Sequence, residues 1–443
     1  MKNNKKSIHE LIPGGCHTYS KGDDQFSENA PSFISHGNGA YVFDLHNNKY
    51  LDCTLGLLSI SLGHGYKQIC KDVSDEIKRG TNFQRPSFLE YETAKHFTEL
   101  IHGHSMVKFT KNGSTATTAA VKLARAFTGR NKVAFPQNHP FYSYDDWFIA
   151  STNCNKGVSK QSNEEYLRFH SCSLDSLKML FEKHPQEIAC VISEPIKNSC
   201  YNCECISRPE EFLKEAIEMC HFYGALFVLD EMQTGFRYGY PGFMNVHGLT
   251  PDLATWGKGI ANGFSFSALS GKEEIMKLGG IKNEGQEKVF LVSTTHGAES
   301  SALRAFLSTS KVFKKNDVIN YNQNLGSYLI KKLSTLTLDI NEFNFVKILP
   351  CPWLVGFEFN SITIDRLFIH KDYMKTYFMQ YMIENKVLIQ SQFAICFSHQ
   401  KEDIDIFVDI FKNFLKDVNA SLSQNKKPEL IGSVVKPVFR KII

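Results

Sequence analysis

Two stretches of the 443-residue chain carry residue types that could act together. In "GALFVLDEMQTGF" (224–236) an apolar run ends on two carboxylates, Asp230 and Glu231. In "WGKGIANG" (256–263) a lysine, Lys258, stands among glycines. A carboxylate at the end of a buried run can face a cation inside the protein, and a lysine shielded from water can act as a neutral nucleophile. Upstream, "KFTKNGSTATTAAVKLARAFTGR" (108–130) opens like a strand, turns at Gly113, Ser114 and Thr115, and continues as a long small-residue helix from about Ala116. Free backbone N–H groups at such a helix start suit a phosphate.

Each piece has an ordinary explanation by itself. Asp230 reads as a strand-ending cap, Lys258 as a solvated lysine, and Ser114 and Thr115 as caps of a helix. The informative feature is their order along the chain: the phosphate-type turn, the aromatic segment "FYSYDDW" (141–147), Glu194 at a strand end, Asp230 at another, the glycine-flanked Lys258, and then "STTHG" (293–297). Together they offer a phosphate cup, a stacking ring, an anion for a ring nitrogen and an amine for a Schiff base. That is the set pyridoxal phosphate requires. An unprotonated ring nitrogen would stabilise a carbanion poorly, so a carboxylate must face it away from water, and Asp230 fits. The glycines beside Lys258 leave room for substrate.

The elements that must hold these residues can be read as well. Short apolar runs, "MVKFT" (106–110), "KVAFP" (132–136), "IACVISEP" (188–195), "ALFVLDE" (225–231) and "LATWG" (253–257), alternate with helical patterns, which argues for an α/β domain whose mostly parallel sheet is covered by helices. Asp230 then sits at the carboxyl edge of the sheet, where ligands bind in open α/β folds. One helix start is marked by Ser207 as cap with Pro209 and Glu210 behind it, and the helix runs to a closing Gly224. Near the N-terminus, "GAYVFDLHNNKYLDC" (39–53) reads as a hairpin turning at Asn47 and Asn48. The expected organisation is an N-terminal segment over 1–65, a large cofactor-binding domain over 66–310, and a smaller α+β domain over 311–443 to which the N-terminal segment also contributes.

Composition bounds the function. Hydrophobic residues are 42% and charged residues 22% of the chain, and the net charge of +4 is small, without the basic runs interleaved with aromatics that mark a nucleic-acid groove. No apolar run is long enough for a membrane helix, and no secretory apolar segment follows the basic N-terminus, so a cytoplasmic protein without nucleic-acid or membrane partners is expected. The twelve cysteines read as reduced thiols. Cys200, Cys203 and Cys205 in "CYNCEC" supply three soft ligands where a structural zinc site wants four, so no metal is expected.

From "IPGG" near Ile12 to "SQFAICFSHQKEDID" near Ser391, and above all in "DEMQTGFRYG" followed by "TPDLATWGKGIANGF", the chain resembles the class III aminotransferases of fold type I. Within them it is most similar to glutamate-1-semialdehyde aminomutase and its sugar-modifying relatives. The resemblance implies that Gly113 and Ser114 bind the cofactor phosphate, that Phe141 stacks on the pyridine face, and that Asp230 holds the ring nitrogen protonated. It implies that Lys258 forms the Schiff base and moves the proton, that Glu194 lies near the active site in an "EP" motif, and that Thr295 touches the phosphate of a neighbouring subunit in a homodimer.

The substrate side departs from the aminomutase pattern. Lys21 stands where the aminomutase has a carboxylate-binding arginine, Thr115 and Ala394 where it has acidic residues, and Tyr142 and Ser143 where it has histidine and glycine. A lysine cannot make arginine's bidentate fork. The resemblance therefore implies ordinary transamination onto an aldehyde or ketone of a sugar or sugar-like substrate, in a surface-polysaccharide or aminosugar pathway, with glutamate as donor. Lys21, Tyr142, His296 and Gln392 are the substrate-binding candidates. The alternatives are a true aminomutase and a cofactor-binding homologue without turnover.

Overall fold

The computed structural model describes residues 2–137, 141–195, 208–282 and 284–442. Ser207 and the cysteines at 200, 203 and 205 lie outside them. The chain forms two compact units: a large one comprising Leu57–Ser61 and Lys67–Ile319, and a small one comprising Met1–Gly56, Leu62–Tyr66 and Asn320–Ile443. The helix Ser300–Lys315 goes with the large unit because its buried face packs against the helices Lys67–Ile77 and Phe88–Leu100.

The large unit is built on seven strands: β1 (Met106–Thr110), β2 (Lys132–Pro136), β3 (Tyr166–Phe169), β4 (Ile188–Ser193), β5 (Leu226–Asp230), β6 (Leu253–Trp256) and β7 (Ser267–Gly271). Their order across the sheet is β1-β7-β6-β5-β4-β2-β3. The pairs from β3 to β6 are parallel, and β7 runs antiparallel to both its neighbours. Every residue of β4, β5 and β6 is buried, as a strand covered on both faces requires. Two strands were not among the apolar runs of the sequence. β3 is an edge strand that is only partly buried, and β7 reads "SALSG", whose small residues give no apolar signal although all five are buried.

The helix behind the glycine turn runs Gly113–Thr128, three residues earlier than the sequence pattern suggested, because Asn112 rather than the turn caps it. Ala116, Ala119, Ala120, Leu123 and Ala124 form its buried face, and these short side chains let it lie close on the sheet. The helix ahead of β5 spans Pro209–Phe222, with proline at its first position, where a missing N–H costs nothing. Gly224, at φ 67°, turns the chain into β5.

In the small unit the expected hairpin pairs Tyr41–Asp44 with Lys49–Asp52. The Asp44 carboxylate accepts from the amides of His46 and Asn48, each at 2.8 Å, and Asn47 takes the left-handed turn position at φ 63°. Val387–Leu388 adds a parallel strand beside it. A second sheet joins Val346–Leu349, Leu354–Phe359 and Gln392–Ala394. Phe357 of this sheet packs ring against ring with Phe378 of the helix Lys371–Glu384 and with Phe407 and Phe411 of the helix Lys401–Ser423, and Phe378 meets Phe414.

Candidate active site

Three chain segments end at the same place in the large unit. Met232, two residues past the end of β5, lies between the first residue of the Gly113–Thr128 helix and the residue ahead of Lys258. A Cβ added at Gly113 would stand 2.9 Å from Met232 Sδ. One at Gly257 would stand 2.6 Å from the same sulfur and 2.5 Å from Ser267 Oγ. A Cβ at either position would have to displace the Met232 side chain, and at 257 the Ser267 hydroxyl as well. The phosphate-type turn, the Asp230 strand end and the Lys258 loop are thereby brought together.

Asp230 is 2% exposed. Its register partner on β6 is Thr255, whose hydroxyl donates to Asp230 Oδ1 at 2.9 Å, and the Met232 amide donates to the same oxygen at 3.0 Å. Both bonds fall on Oδ1, and Oδ2 takes neither of them. Burial pushes the carboxyl up to about 7, and the negative charge of Glu194 adds to the shift against the lowering effect of those two bonds and of Lys258. A carboxyl so placed gains most from a cationic partner.

Glu231, its neighbour in sequence, does different work. It is fully buried and accepts from the amides of Phe243 (3.1 Å) and Met244 (2.7 Å) and from the Thr234 hydroxyl, so it caps the short helix Phe243–Val246. The sequence shows two adjacent carboxylates; Asp230 ends β5, and Glu231, the next residue, is taken up by capping.

Glu194 follows the last residue of β4, and Gln233 Nε2 donates to its Oε1 at 2.8 Å. Gln233 is a site residue that sequence reading missed; its place three residues after Asp230 was the available signal. Lys258 begins a tight turn, Lys258–Ala261, with its own backbone in the left-handed region at φ 48°. Burial holds its amine below the usual lysine range, and the nearby Arg237 guanidinium acts in the same direction, against the attraction of Glu194 and Asp230. A lowered amine pKa raises the fraction of the nucleophilic, unprotonated form.

At the phosphate-type turn, Asn112 Oδ1 takes the Thr115 amide at 2.9 Å, the third in the helix. The two amides ahead of it, those of Gly113 and Ser114, point from the positive end of a 16-residue helix. Ser114 is buried, and its hydroxyl accepts from the Tyr144 amide at 3.2 Å. Thr115 Oγ1 meets the Tyr144 hydroxyl at 3.2 Å.

The aromatic segment divides. Phe141 is 47% exposed and stands edge-on to Phe148. Tyr142, a substrate-side expectation, is 2% exposed and packs in the aromatic core with Phe135, Trp147 and Phe148, its hydroxyl donating to the Ile192 carbonyl. Burial pushes that hydroxyl's pKa up, and the negative charges of Glu194 and Asp230 act in the same direction. Thr295 and His296 lie on an exposed loop of the large unit. Lys21 and Gln392 are exposed residues of the small unit.

A fold type I sheet, with a buried carboxylate at the carboxyl edge of β5, a lysine with a lowered pKa beyond β6 and a helix start beside both, defines a protein that binds and uses pyridoxal phosphate. The chain belongs to the class III aminotransferases, whose family model matches residues 24–415. It is 28% identical to the 3-aminobutyryl-CoA aminotransferase of Cloacimonas acidaminovorans over 93% of this chain and 96% of that one. It is also 28% identical to the glutamate-1-semialdehyde 2,1-aminomutase of Francisella philomiragia, over 92% and 96%. Among solved structures it resembles the FumI protein of Sphingopyxis sp. MTA144 (TM-score 0.83, 20% identity, 95% and 97% covered) and an omega-transaminase from Sphaerobacter thermophilus (TM-score 0.81, 21% identity, 94% and 97% covered). It is an enzyme, and its cofactor is pyridoxal phosphate. The donor set fits that cofactor: a buried anion with one oxygen to offer, an amine held toward neutrality, and paired amides at a helix start.

Proposed function

We propose that this enzyme transfers an amino group from a small-molecule donor to an aldehyde or ketone, with Lys258 and Asp230 as the catalytic pair. The observation that carries the reading is the meeting of Gly113, Asp230 and the Lys258 loop around Met232. When bound, pyridoxal phosphate supplies an electron sink for the pair released at the amino-bearing carbon of the substrate. Lys258 would hold the cofactor through Nζ and, when that amine is free, would move the proton at the amino-bearing carbon of the substrate. Asp230 Oδ2 holds the proton on the ring nitrogen. The amides of Gly113 and Ser114 and the Ser114 hydroxyl hold the phosphate, and Phe141 covers one face of the ring. Glu194, held by Gln233, keeps a negative charge beside Asp230. Thr295, exposed on its loop, reaches the phosphate of a second copy in a homodimer.

For the acceptor we propose a sugar or sugar-like carbonyl compound, with glutamate as donor and the cytoplasm as the place of reaction. Support comes from the hydroxyl pair of Thr115 and Tyr144 beside the phosphate turn, where a polyol finds hydrogen-bonding partners rather than a carboxylate clamp. Tyr142, His296, Lys21 and Gln392 are the further substrate-binding proposals. Two other readings are favoured by the relatives themselves: a β-amino acyl thioester, from the 3-aminobutyryl-CoA aminotransferase, and glutamate 1-semialdehyde, from the aminomutases. The test is a half-reaction screen. Protein loaded with pyridoxamine phosphate is offered keto-sugars, 3-oxoacyl thioesters and glutamate 1-semialdehyde, and return of the visible band is followed. The proposal expects keto-sugars to restore it fastest; restoration by either other class alone would replace the sugar reading.

A further inference from the structure

The five residues Leu57–Ser61 belong to the large unit, although the chain on either side of them, Met1–Gly56 and Leu62–Tyr66, belongs to the small one. Four hydrogen bonds tie this segment to the large unit. Arg237 Nη2 donates to the carbonyls of Leu58 at 2.6 Å and Ile60 at 2.8 Å. The Ser61 hydroxyl donates to the Gly259 carbonyl at 2.6 Å, and the Ser61 amide donates to Asn262 Oδ1 at 3.0 Å. One partner of Ser61 is thus the residue after Lys258 in the turn that Lys258 opens, and the other, Asn262, is the residue that closes that turn. The fit is close: a Cβ on Gly259 would stand 3.3 Å from Ser61 Cβ and 3.3 Å from Arg237 Nε.

The backbone of this turn is held where side-chain-bearing residues rarely go. Lys258 has φ 48° and Asn262 φ 45°, while Leu57 and Leu58, in the tethered segment, have φ 57° and 68°. Left-handed backbone at such residues is unfavourable and persists only where surrounding contacts fix it. Ser61 is 1% exposed, so water does not compete for its hydroxyl. Asn262 suits its place doubly, since asparagine tolerates the left-handed region and its side chain supplies the acceptor.

We propose that Ser61 is a positioning residue for the Lys258 amine: by tying Gly259 O and Asn262 Oδ1 to one buried anchor, itself held by Arg237, it fixes the backbone that aims Nζ at the proton to be moved. The inference rests on Lys258 being the cofactor's lysine. Burial is the main cause of the lowered Lys258 pKa, and the charge of the Arg237 that anchors the segment adds to it.

The experiment compares the holoenzyme with its Ser61→Ala, Asn262→Gly and Lys258→Ala variants. Glycine at 262 keeps the left-handed backbone available while removing Oδ1. Single-turnover deamination of the amino donor is followed with protiated and α-deuterated substrate, per mole of bound cofactor, beside the pH midpoint of the visible band given by the lysine–cofactor link. For Ser61→Ala and Asn262→Gly we expect a rate lower by about tenfold to a hundredfold, as misplacement of a reacting group gives. We also expect a larger isotope effect, a shifted midpoint, and a donor binding constant within about twofold of wild type. A wild-type rate per bound cofactor in both variants would overturn the proposal, as would a loss carried wholly by weaker donor binding. Loss of the covalent link in Lys258→Ala, with Ser61→Ala like wild type, would sink this inference alone; a link that survives in Lys258→Ala would sink the site assignment beneath it.

Discussion

Asp230 is a carboxyl group whose surroundings favour its neutral form until something cationic arrives. Its folded-state pKa of about 7 lies above the ordinary 3.8, so between those values the unfolded chain gives up a proton that the folded chain keeps. The stability Asp230 contributes is therefore fully present below the ordinary carboxylate range and is lost as pH rises toward 7, by an amount on the order of 4 kcal/mol. Cofactor-free Asp230→Asn, which has no charge to bury, is expected to unfold at a higher temperature than cofactor-free wild type at pH 8, with little difference at pH 4. Melting curves at both pH values check this, and a wild type more stable than the variant at pH 8 would contradict it. The loaded variant should fold yet lose turnover by several orders of magnitude, because a neutral amide cannot hold the ring proton. Asp230 and Lys258 were legible in the sequence through residue type and order. Gln233 and Ser61 were not, since a polar residue beside a motif has no marked chemistry until folding gives it a partner, and Ser61 finds its partners some 200 residues away.

At the scale of elements, the adjacent acids Asp230 and Glu231 are told apart by their partners. Glu231 replaces an N-terminal cap for Phe243–Val246, whose own cap residue, Gly242, has no side chain to offer. Glu231→Ala is expected to leave two buried amides unsatisfied and to lower unfolding stability by about 2–4 kcal/mol, measured by denaturant titration, while the folded fraction keeps its cofactor band. Loss of the band with unchanged stability would instead give Glu231 a part in cofactor binding. Five of the seven sheet strands were visible as apolar runs; for β2, β4, β5 and β6 the reason is that a parallel strand covered on both faces must be largely apolar, while β1, an antiparallel edge strand, showed through its apolar residues alone. β3 and β7 escaped because an edge strand and a strand of small residues satisfy the same sheet without that signature. The inward turn of Tyr142 escaped for a related reason: next to a half-exposed Phe141, nothing in the local pattern says which ring turns inward.

For the whole molecule, the two units and the sheet order account for how residues from 113 to 258 meet at one edge. The Thr295 proposal reaches beyond one chain and predicts complementation. Mixed Lys258→Ala and Thr295→Ala protomers should regain activity that neither homodimer has, since one of the two sites then draws an intact lysine from one copy and an intact threonine from the other. No recovery on mixing would assign Thr295 to its own subunit's site or to neither. The substrate side was the least legible part of the sequence, because specificity lies in side-chain placement around a ligand and Lys21, His296 and Gln392 carry no order or spacing that defines one. The central claim is that Lys258 and Asp230 grip one cofactor, and borohydride reduction of the loaded enzyme followed by peptide mass mapping tests it most directly. The account predicts the reduced cofactor on the peptide containing Lys258 and its absence from Lys258→Ala; an adduct on any other lysine, or one that persists in that variant, would contradict it.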